Sequence, residues 1–167
     1  MIVGVLALQG GVEEHLTALE ALGATTRKVR VPKDLDGLEG IVIPGGESTV
    51  LDKLARTFDV AEPLAVLISN GLPVFATCAG LIYLAKHLDN PARGQQTLEA
   101  LDVVVRRNAF GTQRESFDTT VDVSFDSAAF PGVQASFIRA PIVTELGSTT
   151  EAIAVLNSGE VVGVRQN

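Results

Sequence analysis

The chain has 167 residues, of which 46% are hydrophobic, and carries a formal net charge of −7 at pH 7. This length and apolar content suit one domain with a buried core, and they exclude an intrinsically disordered chain. The acidic balance argues against nucleic acid and anionic membrane surfaces as partners. No run of about 18 apolar residues is present, so the sequence predicts no membrane-spanning helix.

Strand and helix patterns alternate through the first half of the chain. Met1–Val5 enters an apolar run without a basic segment, which predicts a first strand rather than a signal peptide. Ser48 is the predicted cap of a later helix. The predicted elements are strand 2–8, helix 12–22, strand 25–31, strand 40–43, helix 49–56, helix 61–70, strand 73–76 and helix 81–88. This order is typical of a parallel sheet with helices on both faces.

The second half of the sequence favours strands. They are predicted at 98–106, 117–125, 135–139, 152–156 and 160–165, with turns such as Pro131-Gly132 and 157–159 between them. No internal repeat or linker is visible. The sequence therefore predicts one α/β domain over residues 1–167, in three layers, with a mostly parallel central sheet flanked by helices and an added antiparallel portion in the second half.

The chain ends at Asn167, directly after a predicted strand. A doubly wound sheet normally ends with a helix that covers its last strand. We therefore expect the natural chain to continue for about one strand and one helix, by the usual lengths of these elements. The alternative is a compact fold that needs no last helix.

The sharpest local signal is the segment Pro73–Gly80, which contains the single cysteine, Cys78. One cysteine excludes an internal disulfide bond, and in an acidic chain it fits the cytoplasm. A nucleophile at a strand-to-helix turn needs small neighbours, here Ala76, Ala79 and Gly80, and the helix start favours the thiolate. The alternative is a buried core thiol in a tight turn.

A second loop, Pro44–Ser48, also follows a predicted parallel strand. Its glycines allow backbone N–H groups to approach a ligand, although an ordinary strand-to-helix turn has the same composition. Both loops lie at the carboxyl edge of the sheet, where such sheets bind ligands. The N–H groups of Gly46 and Ala79 could there form an oxyanion hole.

Charged and titratable residues complete the candidates. Arg107 and Arg139 stand at the ends of predicted strands, where a guanidinium can grip a carboxylate, although a solvated surface arginine is the commoner case. His15 lies on the first predicted helix, over a turn from its loop. His87 lies nine residues after Cys78 on the same predicted helix, about 13 Å away. Neither histidine is a convincing general base.

Five segments, in order over nearly the whole chain, carry a family resemblance: LALQG (6–10), PGGEST (44–49), TCAG (77–80), RNAFG (107–111) and FIRAP (137–141). Together they resemble class I glutamine amidotransferases and, more narrowly, the glutaminase subunit of pyridoxal 5′-phosphate synthase. The last two segments separate this branch from other amidotransferases. The resemblance implies a flavodoxin-like fold.

The resemblance also implies a role for each matching residue. Cys78 is the implied nucleophile, and Gly46 and Ala79 are the implied oxyanion hole. Gln9 is implied to lie near the site and the interface with the synthase subunit. The implied glutamine-binding residues are Gly46, Glu47, Ser48, Arg107, Ile138 and Arg139.

The implied reaction hydrolyses L-glutamine through a cysteine thioester and passes ammonia to a synthase subunit in a hetero-oligomer. That subunit completes the oxyanion hole and builds pyridoxal phosphate, which is a product rather than a prosthetic group. No metal or organic cofactor is expected on the chain.

Three departures from the family pattern stand out. The family has a histidine and a glutamate in a segment that would begin a few residues after Asn167, which agrees with a continuation of the natural chain. Position 76 is Ala where Gly is usual, so we expect a tighter turn. Position 112 is Thr where Arg is common, which puts one polar contact in doubt.

Two other functions stay open at this point. The first is a different cysteine hydrolase on the same architecture, which would not need the Arg107 and Arg139 segments. The second is a non-catalytic binding module, because these 167 residues lack a general base.

Overall fold

The computed structural model describes residues 1–111 and 116–166. The chain divides into two compact units. The first consists of Met1–Leu84 and Ala92–Ala100, and the second of Ala85–Pro91 and Leu101–Asn167.

The first unit is a parallel sheet with helices. Its strands are β1 (Ile2–Leu6), β2 (Thr25–Val29), β3 (Gly40–Ile43) and β4 (Val74–Ala76). Its helices are α1 (Val12–Ala21), α2 (Ser48–Thr57), α3 (Ala61–Ser69) and α4 (Ala79–Leu84), and a 3₁₀ helix covers Pro32–Leu35. The strand order is β2-β1-β3-β4, and all three pairings are parallel. This is the order of a flavodoxin-like sheet.

The two inner strands of this sheet form its core. All four residues of β3 are buried, and so are four of the five residues of β1. A strand covered on both faces needs a continuous apolar run, which is the pattern that predicted these strands. Helices add residues without any exposed surface, including Leu51 and Leu64.

The second unit is a mixed sheet of seven strands. They are β5 (Ala85–Leu88), β6 (Leu101–Arg106), β7 (Phe117–Phe125), β8 (Ala128–Phe137), β9 (Ile142–Leu146), β10 (Thr150–Val155) and β11 (Val161–Gln166). Their order is β5-β6-β9-β11-β10-β7-β8. Only the β5–β6 pair among these is parallel. The predicted fold class is therefore confirmed, namely a parallel sheet flanked by helices with an added, mainly antiparallel portion.

Aromatic side chains hold one end of the second sheet together. The rings of Phe117 and Phe137 stack with centroids 5.0 Å apart, and Phe110 meets both edge-on at 5.4 Å and 5.3 Å. Such pairs stabilise beyond the area that they bury. Phe110 belongs to the RNAFG segment (107–111), so this cluster fixes that segment to β7 and β8.

The predicted helix 81–88 is wrong in its second half. Helix α4 ends at Leu84, and Ala85–Leu88 forms β5, which pairs with β6. Lys86 of β5 also forms an ion pair with Asp102 of β6 at 2.8 Å. Pairing with a neighbouring strand here overrides a weak helical preference. His87 is therefore a strand residue of the second unit, and the helical distance from Cys78 that was predicted for it does not apply.

The predicted turn at Pro131-Gly132 is also wrong, because both residues lie inside β8. The β7–β8 hairpin turns instead after Phe125, where Asp126 has a φ of +52°. Pro131 and Gly132 together oppose the single residue Asp122, which makes a β-bulge. Pro131 lies in this bulge of an edge strand, outside the regular pairing register, where a proline is tolerated.

Two smaller corrections concern element ends. Strand β9, Ile142–Leu146, was not predicted, since Pro141 directly before it reads as the end of an element. Glu47, not Ser48, caps α2, and its side chain accepts a hydrogen bond from the backbone N–H of Thr49 at 3.4 Å. Ser48 is the first helical residue.

Helices α1 and α2 have ten residues each. Among the described residues, no helix is long and apolar enough to cross a bilayer.

The core of the first unit gives a stability prediction. Leu64→Ala removes a side chain with no exposed surface, so we expect the free energy of unfolding to fall by about 2–5 kcal/mol. Leu22→Ala makes the same change at a side chain that is 84% exposed, and should cost less than about 0.5 kcal/mol. Urea unfolding followed by circular dichroism measures both. Equal losses in the two variants would contradict this assignment of the core.

Candidate active site

Three loops meet at the carboxyl edge of the parallel sheet. They follow β1, β3 and β4, and they contain Gln9, the pair Gly45-Gly46, and Cys78. The backbone N–H of Gly11 donates to the carbonyl of Gly45 at 3.4 Å, which joins the first loop to the second. The backbone N–H of Gly45 donates to the Thr77 hydroxyl at 2.9 Å, which joins the second to the third.

Cys78 occupies the turn between β4 and α4 in a strained conformation. Its φ is +47°, a region that L-residues other than glycine rarely adopt, and its side chain is half-buried. The turn is held by Thr77, whose N–H donates to the carbonyl of Ile43 at 3.1 Å. Its own carbonyl accepts from Gly80 at 2.8 Å. The strained turn that the sequence predicts is therefore present.

A small residue is required directly after this turn. A Cβ atom at Gly80 would lie 2.3 Å from the carbonyl oxygen of Ile43, which is backbone and cannot move aside easily. Helix α4, which follows, has only six residues. The helix dipole behind Cys78 is thus shorter than the sequence predicts.

The glycine loop packs directly against the cysteine. A Cβ atom at Gly45 would lie 3.3 Å from the Cβ of Cys78. Gly46 has a φ of +147°, and a Cβ atom there would lie 2.0 Å from the Gln9 side-chain oxygen. Two predicted oxyanion donors, Gly46 and Ala79, therefore lie in loops that touch each other.

The Gln9 side chain packs against this loop. Its Oε1 accepts a hydrogen bond from the backbone N–H of Glu47 at 2.8 Å. Its Nε2 is buried and has no hydrogen-bond partner among the described residues. The Oε1 contact sets the orientation of the amide, so Gln9 presents an unused donor beside the loop.

His15 contacts the residue before the cysteine. Its Nε2 lies 3.4 Å from the Thr77 hydroxyl oxygen, and its ring meets Phe75 edge-on with centroids 6.3 Å apart. The sequence does not predict this contact, because it joins residues that are 62 positions apart.

Ser48 is held by a residue that the sequence does not single out. Ser48 is only 3% exposed, and its hydroxyl accepts a hydrogen bond from Nε2 of Gln95 at 3.1 Å. Gln95 belongs to an irregular segment, so neither periodicity nor a motif marks it.

An ion pair between a buried carboxylate and a partly exposed arginine lies one turn further along α2. Asp52 is 2% exposed and accepts two hydrogen bonds from the Arg56 guanidinium, at 2.8 and 2.9 Å. The hydrogen bond with Asp52 raises the pKa of Arg56. Burial raises the pKa of Tyr83, and the negative charge of Asp52 adds to this effect. The phenol therefore stays neutral.

The other predicted site residues lie in the second unit. Arg107 follows β6, and the Asn90 side chain brackets its backbone, accepting from its N–H at 2.8 Å and donating to its carbonyl at 3.0 Å. Ile138 is 55% exposed, and Arg139 has a φ of +47°. The N–H of Ala109 donates to the carbonyl of Ala140 at 3.0 Å, so the two arginine segments are neighbours.

Of the two positions at which this chain carries a different residue from the family pattern, the structure describes one. Ala76 is the last residue of β4 and pairs with Ile43 of β3. Thr112 lies outside the described residues. Within the described part of the chain, no group of three or more His, Cys, Asp or Glu side chains could hold a metal ion.

Sequence comparison finds close relatives over nearly the whole chain. A pyridoxal 5′-phosphate synthase subunit PdxT of Corynebacterium glutamicum (strain R) is 93% identical over 166 residues, which are 99% of this chain and 83% of that protein. A protein of the same name from Cutibacterium acnes is 56% identical, over 99% of this chain and 84% of its own length. Neither of the two alternative functions is favoured by these relatives.

Structural comparison agrees. A crystal structure of a glutamine amidotransferase matches with a TM-score of 0.88 and 41% identity, over 99% of this chain and 85% of that one. A glutamine amidotransferase of Thermotoga maritima shares the fold alone, with a TM-score of 0.60 and 14% identity over 99% of this chain and 70% of that one.

The model of the SNO glutamine amidotransferase family matches residues 5–167, which confirms the predicted resemblance. The chain therefore belongs to the SNO glutamine amidotransferase family.

Proposed function

We propose that this chain is the glutaminase subunit of a pyridoxal 5′-phosphate synthase, which hydrolyses L-glutamine and delivers ammonia to a synthase subunit in a hetero-oligomer. Its relatives bear the name of such a subunit. The observation that carries the reaction is the strained Cys78 in contact with the glycine loop. We place this activity in the cytoplasm, since one cysteine and an acidic balance suit that compartment.

Cys78 attacks the side-chain amide carbon of glutamine in this proposal. The sulfur forms a bond to that carbon, and the carbonyl oxygen becomes an oxyanion. The N–H groups of Gly46 and Ala79 stabilise the oxyanion. Ammonia then leaves with a proton, which gives a thioester, and water releases glutamate and restores the thiol.

Thr77 orients the first of these donors. Its hydroxyl accepts the N–H of Gly45, the residue directly before Gly46, and the same side chain lies next to Cys78. One side chain thus ties the oxyanion loop to the nucleophile. Because the Gly46 donor must point at a developing charge, loss of this tie should lower the rate more than it lowers substrate affinity.

Glutamine itself carries a carboxylate, an ammonium group and an amide. We propose Glu47, Ser48, Arg107, Ile138 and Arg139 as its binding residues. Two guanidinium groups on neighbouring segments suit a carboxylate, which accepts such donors bidentately. The unused amide donor of Gln9 supports a place for Gln9 at the synthase interface, because buried donors are normally paired in a finished assembly.

The histidines of the chain are not assigned the role of base. His15 lies at hydrogen-bond distance from Thr77, and His87 is part of β5 in the second unit. The resemblance implies a histidine that moves the proton and a carboxylate that orients this histidine, by the logic of a Ser-His-Asp triad.

Cys78→Ala should abolish the reaction. With the synthase subunit present, ammonia release from glutamine should fall by about 10⁴-fold or more, because no other side chain can form the thioester. A glutamine analogue with a chloroketone in place of the amide should add one label to the wild-type chain, detected by intact mass, and none to the variant. A labelled Cys78→Ala chain, or wild-type protein that releases no ammonia with its partner, would refute the proposal.

Thr77→Val removes the hydroxyl of this residue and keeps the shape of its side chain. The valine cannot accept the N–H of Gly45, so we expect the free energy of unfolding to fall by about 1–3 kcal/mol. We expect kcat to fall by about 10-fold, with a smaller change in KM. Thr77→Ser keeps the hydroxyl and is the matched control, with kcat close to that of wild type. Equal kcat values for the two variants would show that the hydroxyl has no such role.

A further inference from the structure

The irregular segment Ala92–Ala100 is held against helices α2 and α4. The backbone N–H groups of Leu98 and Ala100 donate to the carbonyls of Tyr83 and Leu84 at 2.7 and 2.9 Å. The N–H of Gln96 donates to Oδ2 of Asp52 at 3.0 Å. These two helices begin at the glycine loop and at the Cys78 turn, so the segment braces the elements that carry the proposed site.

Gln95 is the residue through which this segment reaches the glutamine loop. Its Oε1 accepts the backbone N–H of Ala92 at 3.2 Å, and its Nε2 donates to the Ser48 hydroxyl at 3.1 Å. The amide has one oxygen and one NH₂ group. Since the contacting group of Ala92 is its backbone N–H, which can only donate, the oxygen must face Ala92 and the NH₂ group must face Ser48.

This arrangement sets the direction of the Ser48 hydroxyl. A hydroxyl has one proton to donate, and it cannot donate that proton to an NH₂ group. Gln95 therefore occupies an acceptor position of the oxygen and leaves the Ser48 proton for another partner. Ser48 follows Gly46-Glu47 directly in the loop, so this proton is assigned to a ligand of the loop.

We propose that Gln95 is a positioning residue for glutamine binding, because its amide makes Ser48 a hydrogen-bond donor to an oxygen atom of the substrate. This inference rests on the proposed glutaminase function. Glutamine offers carboxylate and amide oxygens as acceptors, and a donor held in one direction by a buried partner is preorganised for them. Gln95 acts through Ser48 and does not itself touch the substrate.

The test is Gln95→Glu, assayed for glutamine hydrolysis with the synthase subunit present. A carboxylate of the same shape cannot donate to Ser48 and instead accepts its proton, which reverses the hydrogen bond. We expect KM for glutamine to rise by about 10- to 100-fold, with kcat changed by less than about 3-fold. Gln96→Glu is the matched control, since it adds the same charge one residue away while its backbone N–H still binds Asp52. Its KM should equal that of wild type.

A double-mutant cycle with Ser48→Ala distinguishes positioning from general support of the segment. If Gln95 acts through Ser48, Gln95→Glu should change KM by less than about 2-fold once the hydroxyl is absent. A neutral variant, Gln95→Met, keeps the volume without the charge and should raise KM by less than Gln95→Glu does. Urea unfolding of each variant checks that the chain is folded under assay conditions.

The outcomes separate this inference from the proposed function. Wild-type protein that releases no ammonia with its partner overturns both. An active wild type together with an unchanged KM in Gln95→Glu overturns the role of Gln95 alone. The role is equally overturned if Gln95→Glu raises KM as much in the Ser48→Ala background as in wild type.

Discussion

The parallel pairing of β3 with β4 is the constraint on which the site depends. Ile43 pairs with Ala76 at the end of both strands. The loops that follow β3 and β4 therefore begin side by side at the same edge of the sheet. The Gly45 loop and the Cys78 turn are therefore forced into contact, and the carbonyl of Ile43 receives the N–H of Thr77 across the gap. A shift of this register by one residue would separate the oxyanion donors from the sulfur.

The contact between the Gly45 loop and the Cys78 turn leaves little room for side chains. Space at position 80 and backbone conformation at position 46 explain why glycines stand there. Backbone atoms of Ile43 exclude a side chain at position 80, and the φ of +147° at Gly46 would strain any side chain at position 46. Cys78 takes a positive φ at a cost of order 1–2 kcal/mol, which the surrounding hydrogen bonds must offset. The Asp52–Arg56 ion pair and the bracing segment Ala92–Ala100 supply part of that rigidity around α2.

Local signals predicted the parts of this structure that local physics determines. Apolar runs marked β1 and β3, and the small residues beside Cys78 marked its turn. Prediction failed where distant partners decide the outcome. Lys86 and His87 lie in a strand because β6 is beside them, and Gln95 matters because of a serine 47 residues away. Such contacts leave no periodic trace in the sequence. The two arginines were visible from their places at predicted strand ends, but only the family pattern implied a role in glutamine binding.

The bulge in β8 has a consequence for self-association. An edge strand exposes unpaired backbone groups to which a second chain can add, and Phe130 and Val133 of β8 are 47% and 41% exposed. Pro131 stands between them and offers no backbone N–H, and the bulge at Gly132 bends the strand away from a flat ribbon. From the sequence alone, Pro131 and Gly132 predict a turn in place of this strand. In the structure the same two residues protect the apolar edge of β8 from pairing with a second chain.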